Sequence, residues 1–309
     1  MELFDPETDF GNRRFRTIGI VLIVISTVFF ALAGIFTKST SADPWTIACW
    51  RGLVGSMMIA LYVLVRRDPT TKGGSFRLGW RGWALAILGG VASLFFIASF
   101  KYTYVANVVV IYATVPFMAA AIDRLAFGEK TRAQTIVTAA VSLVGVLIIV
   151  AGSIGGGNVL GDVFALFMTL GSAIYLVMVR AFRETPVVWA AAVSAFLVFL
   201  AGWLFTDPLA ISGGDLFVVF LFGLSFAAAV IFWTEGARFL PAAESGLLGA
   251  VEVPLAILFA WVILAEAPPL QSIIGGAIVL GAVFMHAWRD IQAEKRNGLV
   301  KEQASPGAL

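Results

Sequence analysis

Ten stretches of about twenty consecutive apolar residues constrain this 309-residue chain more than anything else in it. They cover residues 18–37, 45–65, 82–100, 105–127, 133–151, 161–179, 187–205, 215–235, 242–264 and 271–288. A bilayer core about 30 Å thick takes about 20 residues of helix to cross. The stretches are continuously apolar and lack the alternation of a membrane β-strand. A backbone in lipid must pair its own N–H and C=O groups, so each stretch is expected to be a helix. Composition agrees: 13% of the residues are charged, about half the share that covers a soluble domain. Roughly 100 residues remain for tails and turns, which leaves no room for a soluble catalytic domain.

The reactive inventory is narrow. Cys49 is the sole cysteine and His286 the sole histidine, so neither an internal disulfide nor a histidine-rich metal centre is expected. No phosphate loop, nucleophile elbow or metalloprotease motif is present, and Gly155-Gly156-Gly157 reads as a flexible turn. No cofactor and no metal are expected. A net charge of +2 gives nucleic-acid binding no support. An enzyme embedded in the membrane needs a paired acid and base or a ligand cluster at one depth, and neither is found.

The basic residues order the spans. If the N-terminus lies inside, eighteen of the 21 Lys and Arg residues fall in inner segments. Lys38 and Lys101 fall outside, and Arg51 lies within the second span. This asymmetry predicts cytoplasmic termini. The two halves also match each other. An offset of 142 places Ala31 on Ala173 and Lys38 on Arg180. An offset of 137 places Lys101 on Arg238, Tyr102 on Phe239, Ala106 on Ala243, Asn107 on Glu244, Glu129 on Glu266 and Gln134 on Gln271. Pro116 and Pro254 miss by one residue. Each half has five spans, an odd number, so the second enters the membrane upside down, as in many secondary transporters. The expected organisation is a tail over 1–17, repeats over 18–151 and 161–288 with a linker over 152–160, and a tail over 289–309.

Gly161-Asp162-Val163-Phe164-Ala165-Leu166, running into Ser172-Ala173-Ile174-Tyr175, resembles the start of the second repeat in the EamA branch of the drug/metabolite transporter superfamily. Phe100-Lys101-Tyr102 through Val115-Pro116, then Phe127-Gly128-Glu129-Lys130-Thr131, is similar to that family's fourth and fifth helices. So is Pro241-Ala242-Ala243-Glu244-Ser245 through Val253-Pro254, followed by Ala265-Glu266 and Gln271. The resemblance covers residues 18–288. It implies an all-α integral membrane protein of ten helices, built as two inverted five-helix repeats around a central cavity. The fifth and tenth helices would be peripheral. It further implies export of amino acids, other metabolites or drugs across the bacterial inner membrane. The family's aromatic-Gly pair late in the first helix is Phe30-Ala31 here.

Few residues interrupt the apolar spans. Glu252 lies near the centre of span nine, where an ionisable group is expensive and functional by default. Pro254, two residues on, frees a backbone carbonyl. A carboxylate there suits a substrate ammonium or a coupling proton; the alternative is a structural interhelix bond. Arg51 either snorkels to the headgroups or faces the cavity to pair with a substrate carboxylate. Phe164, Met168, Ser172 and Tyr175 share one helical face, as do Phe222, Phe226, Ala229 and Trp233. Either face can line a cavity or simply pack. Span four offers Asn107, Tyr112 and Thr114. Lys38 and Lys101 read as interfacial anchors, and Trp45, Trp80, Trp83, Trp203, Trp261 and Trp288 as an aromatic belt. Glu129 and Glu266 are expected to cap the helices that follow them, and His286 to be structural.

The function expected is a secondary active or facilitative transporter exporting small amphipathic metabolites by alternating access, amino acids first and drugs second. The alternative is an importer of a vitamin, nucleoside or similar nutrient. Expected partners are the solute, the lipid bilayer and protons as coupling ion, the protein being a monomer or homodimer.

Overall fold

The computed structural model describes residues 13–66, 77–128, 133–154, 158–182, 185–240 and 242–304. Among them every regular element is helical, and ten spans are long and apolar enough to cross a membrane. Span one comprises α1 (Arg13–Ala31) and α2 (Ala33–Lys38). Spans two and three are α3 (Pro44–Arg66) and α4 (Gly79–Tyr102). Span four comprises α5 (Val105–Tyr112) and α6 (Val115–Phe127), and span five is α7 (Ala133–Ser153). Spans six, seven and eight are α8 (Val159–Ala181), α9 (Val187–Phe205) and α10 (Gly213–Ala237). Span nine comprises α11 (Ala242–Gly249) and α12 (Glu252–Leu264), and span ten is α13 (Leu270–Ala304). An even number of spans brings both chain ends to one side, the termini face; the connections 39–43, 103–104, 206–212 and 265–269 form the distal face. Gly155-Gly156-Gly157 lies outside the described residues.

The seventh helix coincides with the expected 187–205, and most others extend it by two or three residues. Two expectations change. The fourth and ninth stretches are each split into two helices. The tenth does not end near Trp288 but runs on as helix to Ala304, because Ala293, Glu294, Lys295, Arg296, Glu302 and Gln303 are strong helix formers.

The splits have a covalent cause. Pro116 and Pro254 stand in the first turns of α6 and α12. Neither can donate to the carbonyl four residues back, Tyr112 and Ala250 respectively. The backbone tightens instead, with Thr114 N donating to Ile111 O at 3.1 Å and Val251 N to Leu248 O at 3.2 Å. The 137-residue offset carries α5 onto α11 and α6 onto α12 end for end. The one-residue miss of the prolines therefore leaves the breaks in register.

The packing repeats the same symmetry. Span two packs on seven, four on nine and five on ten; the contact of one with eight is matched by six with three, and eight with two by three with seven. Close approaches match as well. A Cβ on Gly161 would lie 2.5 Å from Thr103 N and the Tyr102 carbonyl carbon. A Cβ on Gly19 would lie 2.9 Å from Phe239 and Leu240, the residues equivalent to those two. Small residues set helix approach in membranes, where lipid removes the usual hydrophobic drive between helices. The chain is thus a membrane protein of ten spans in two inverted repeats.

Asp43 anchors the start of α3. Its carboxylate accepts from Trp45 N at 2.9 Å, Thr46 N at 3.2 Å, the Thr46 hydroxyl at 2.5 Å and the Thr206 hydroxyl at 3.2 Å. Burial pushes the carboxyl up, but these hydrogen bonds together bring it below its ordinary value of 3.8. A depressed carboxyl stabilises the fold above its ordinary pKa, and that contribution is lost as the pH falls through the lowered value. Asp43→Ala is therefore expected to cost about 0.5–2 kcal/mol at neutral pH. Thermal unfolding in detergent should show the deficit shrinking below about pH 4.

Candidate functional site

Each break lies eight residues, about 12 Å, from the nearer end of its span, and so near mid-bilayer. Glu252 is the first residue of α12, and Tyr112 the last of α5, which packs against α12. The two residues thus stand at the two span breaks, on helices that pack together. Both side chains are partly exposed. Among the described residues Glu252 has neither an ion-pair partner nor a hydrogen-bond partner. Trp233 closes one side by packing on Gly249, just before the break. The expected α10 face holds together: Phe222 stacks on Phe36 at 5.5 Å, and Ala229 accepts a hydrogen bond from Ser26.

Arg51 does not snorkel. It is 2% exposed, its guanidinium carbon 5.1 Å from the Phe222 ring centre and 4.5 Å from that of Phe226. One terminal nitrogen donates to Ser93 Oγ, and Nε has no acceptor. Arg51 has no carboxylate partner among the described residues. Reading depth along the helices, it lies about 10 Å from the distal end of α3, and Glu252 about 18 Å from the distal end of α12. An acidic and a basic interior side chain, at different depths, therefore have no oppositely charged partner among the described residues.

The other expected site residues separate. The Thr114 hydroxyl donates to Ile111 O at 2.6 Å, holding the break. Tyr175 packs with Leu78, Leu85 and Ala190, towards the termini face. Ser172, one turn earlier on α8, is partly buried. Lys38 and Lys101 both bond to connections of the distal face. Lys38 pairs with Glu266, and Lys101 donates to Thr40 O at 2.6 Å. Glu266 caps a different helix from the expected one: it accepts from Val105 N at 2.6 Å, at the start of α5 in the other repeat. Glu129 lies outside the described residues. His286 lies 5.5 Å from Phe117, ring to ring. Trp80, Trp83, Trp203, Trp261 and Trp288 are exposed at span ends, while Trp45 stacks on Phe205 at 4.3 Å.

On the termini face, Arg16 holds Glu244 at 3.0 Å, and Glu235 of α10 receives both Arg66 and the Tyr62 hydroxyl of α3. Both ends of the bundle are thus tied by charged or hydrogen-bonded pairs, with the Glu252 region between them.

The EamA-like transporter family model matches residues 17–151 and again 159–288. The chain belongs to this family. Among curated proteins, the uncharacterized transporter YdfC of Bacillus subtilis is 26% identical over 279 residues, covering 82% of this chain and 85% of that protein. One solved crystal structure shares the fold at 21% identity, with 87% of this chain and 95% of that chain covered and a TM-score of 0.60.

An EamA-like transporter is a multi-pass membrane protein that moves a small-molecule solute, and this frame gives the interior groups their meaning. Asp162, an acid at the start of an apolar span, sits in a buried cluster with Thr103, Asn107, Ser153 and Ser272. Its one legible signal was a carboxylate inside the apolar stretch 161–179. The pairing of Tyr62 with Glu235 had none, because it joins residues 173 positions apart.

Proposed function

We propose that this EamA-like transporter exports small amphipathic metabolites across a bacterial inner membrane, amino acids first and drugs second. It does so by alternating access, with both termini cytoplasmic. One observation supports the reading: the Glu252 carboxylate, without a hydrogen-bond or ion-pair partner among the described residues, stands at the break of span nine. An ionisable group kept there at a cost of about 2.5–3.5 kcal/mol serves function before structure. Glu252 receives the substrate ammonium or carries the coupling proton. Arg51 meets a carboxylate nearer the distal face. Tyr112, Trp233, Ser172 and Tyr175 border the path between the faces, while Thr114 holds the break open. The inverted repeats supply two related arrangements, and rocking one repeat against the other exposes the same interior to each side in turn. The ties between Lys38 and Glu266 and between Arg16 and Glu244 break and re-form as the two ends open.

A host stripped of its own exporters tests this reading. Expression of the chain is expected to raise tolerance to at least one amino acid or amphipathic drug in a toxicity panel. If instead it restores growth on a limiting vitamin or nucleoside without changing any tolerance, the chain is an importer.

A further inference from the structure

A second group of buried polar side chains lies apart from Glu252 and Arg51, where five spans meet at the distal face. Thr103 follows α4, Asn107 is on α5, Ser153 ends α7, Asp162 is in the first turn of α8, and Ser272 is in that of α13. None is more than 4% exposed. Thr103 Oγ1 donates to Asp162 Oδ1 at 2.7 Å. The Asn107 amide nitrogen lies 3.0 Å from the same oxygen, 3.1 Å from Ser153 Oγ and 3.2 Å from Thr103 Oγ1. Its two protons are therefore shared among three oxygens. Ser272 donates to Asn107 Oδ1. The second carboxylate oxygen, Asp162 Oδ2, is buried and accepts no hydrogen bond among the described residues. No Lys, Arg or His pairs with Asp162 among the described residues.

A buried carboxylate is costly unless it is paired. In the other repeat a partly exposed carboxylate has a cation. The position equivalent to Asn107 is Glu244, and Glu244 holds Arg16 with contacts of 3.0 and 3.2 Å. The distal cluster has the acid without the cation, and more oxygen lone pairs than donor protons.

We propose that the Asp162 cluster binds one monovalent cation the size of sodium. Asp162 supplies the balancing charge, and Thr103, Ser153 and Asn107 supply neutral oxygens, the ligand set that hard cations take. Turning the Asn107 amide over brings Oδ1 towards Asp162 and its nitrogen towards Ser272 Oγ, which can accept. The cluster is tightly packed, its oxygens and the Asn107 amide nitrogen 2.7–3.2 Å apart, so the space that opens when the amide turns over suits a small ion better than potassium. The bound ion ties the ends of α4, α5, α7, α8 and α13 together at the distal face.

The test uses the full-length protein purified in detergent and needs no transport, so it stands or falls separately from the exporter reading. Sodium-22 binding is expected to saturate at one ion per chain. The unfolding temperature should rise with NaCl but not with choline chloride at equal ionic strength, and less with KCl. Asp162→Asn is expected to abolish both effects. If that variant does not fold, Ser153→Ala carries the test, with sodium affinity weakened about fivefold, the effect of losing one neutral oxygen. The proposal is overturned if the wild type takes up no saturable sodium, or if the variants that fold bind it as the wild type does. A buried water at Asp162 Oδ2 then accounts for the cluster.

Discussion

Glu252→Gln is expected to lower substrate transport in proteoliposomes by about ten- to a hundredfold while leaving the protein folded. Hydrogen bonds to a charged group contribute about 1.5–3 kcal/mol, and each 1.4 kcal/mol is about tenfold. Glutamine keeps the size and polarity of the side chain and removes only its charge. Because Glu252 makes no hydrogen bond or ion pair within the described protein, the substitution breaks none of the internal contacts seen, and unfolding temperature should change little. Glu252→Asp keeps the charge but withdraws it by one methylene, so an intermediate rate is expected. If Glu252 also carries the coupling proton, the wild-type rate varies with pH and the glutamine variant responds less. A glutamine variant that transports like the wild type, at every pH, would remove Glu252 from the site.

Arg51 gives the second large effect, with opposite consequences for stability and function. Its guanidinium is buried between Phe222 and Phe226 with Nε unsatisfied. An apolar replacement of similar length relieves that burial; exchanges of buried ion groups for apolar ones are often neutral or stabilising by about 1–4 kcal/mol. Arg51→Met is therefore expected to be at least as heat-stable in detergent as the wild type. It should nevertheless lose recognition of substrates that carry a carboxylate, about tenfold or more in half-saturation concentration. Methyl esters or amides of the same substrates should be handled equally by both proteins. Arg51→Lys, with its single compact charge, should recover only part of the loss. A methionine variant that unfolds, or that discriminates carboxylates as before, would make Arg51 structural.

The spans were legible because a bilayer imposes length and apolarity on sequence directly. The break in span four was legible in part, since Pro116 marks it and Pro254 marks its counterpart one residue out of step. Their common register emerged only from the helix ends. The direction of Arg51 was not legible. Arg51 meets Phe222 and Phe226 of α10, whose apolar residues lie on all sides, so that sequence carries no periodic signal for which face meets α3. Glu266 was recognised as a cap, but its target lies 161 residues away in the other repeat, a distance that local spacing cannot encode. Asp162 is visible as part of a motif, but its burial among neutral polar groups depends on four other spans converging on it.

Counterflow in proteoliposomes tests most directly whether this interior is an alternating-access site. Vesicles are loaded with an excess of an unlabelled solute identified in the tolerance panel and diluted into a trace of the labelled one. Alternating access predicts that label accumulates inside transiently above its outside concentration, then decays as the unlabelled pool runs down. Label that only rises to equality with the outside, at a rate that does not saturate, would mean an open pore and contradict the account.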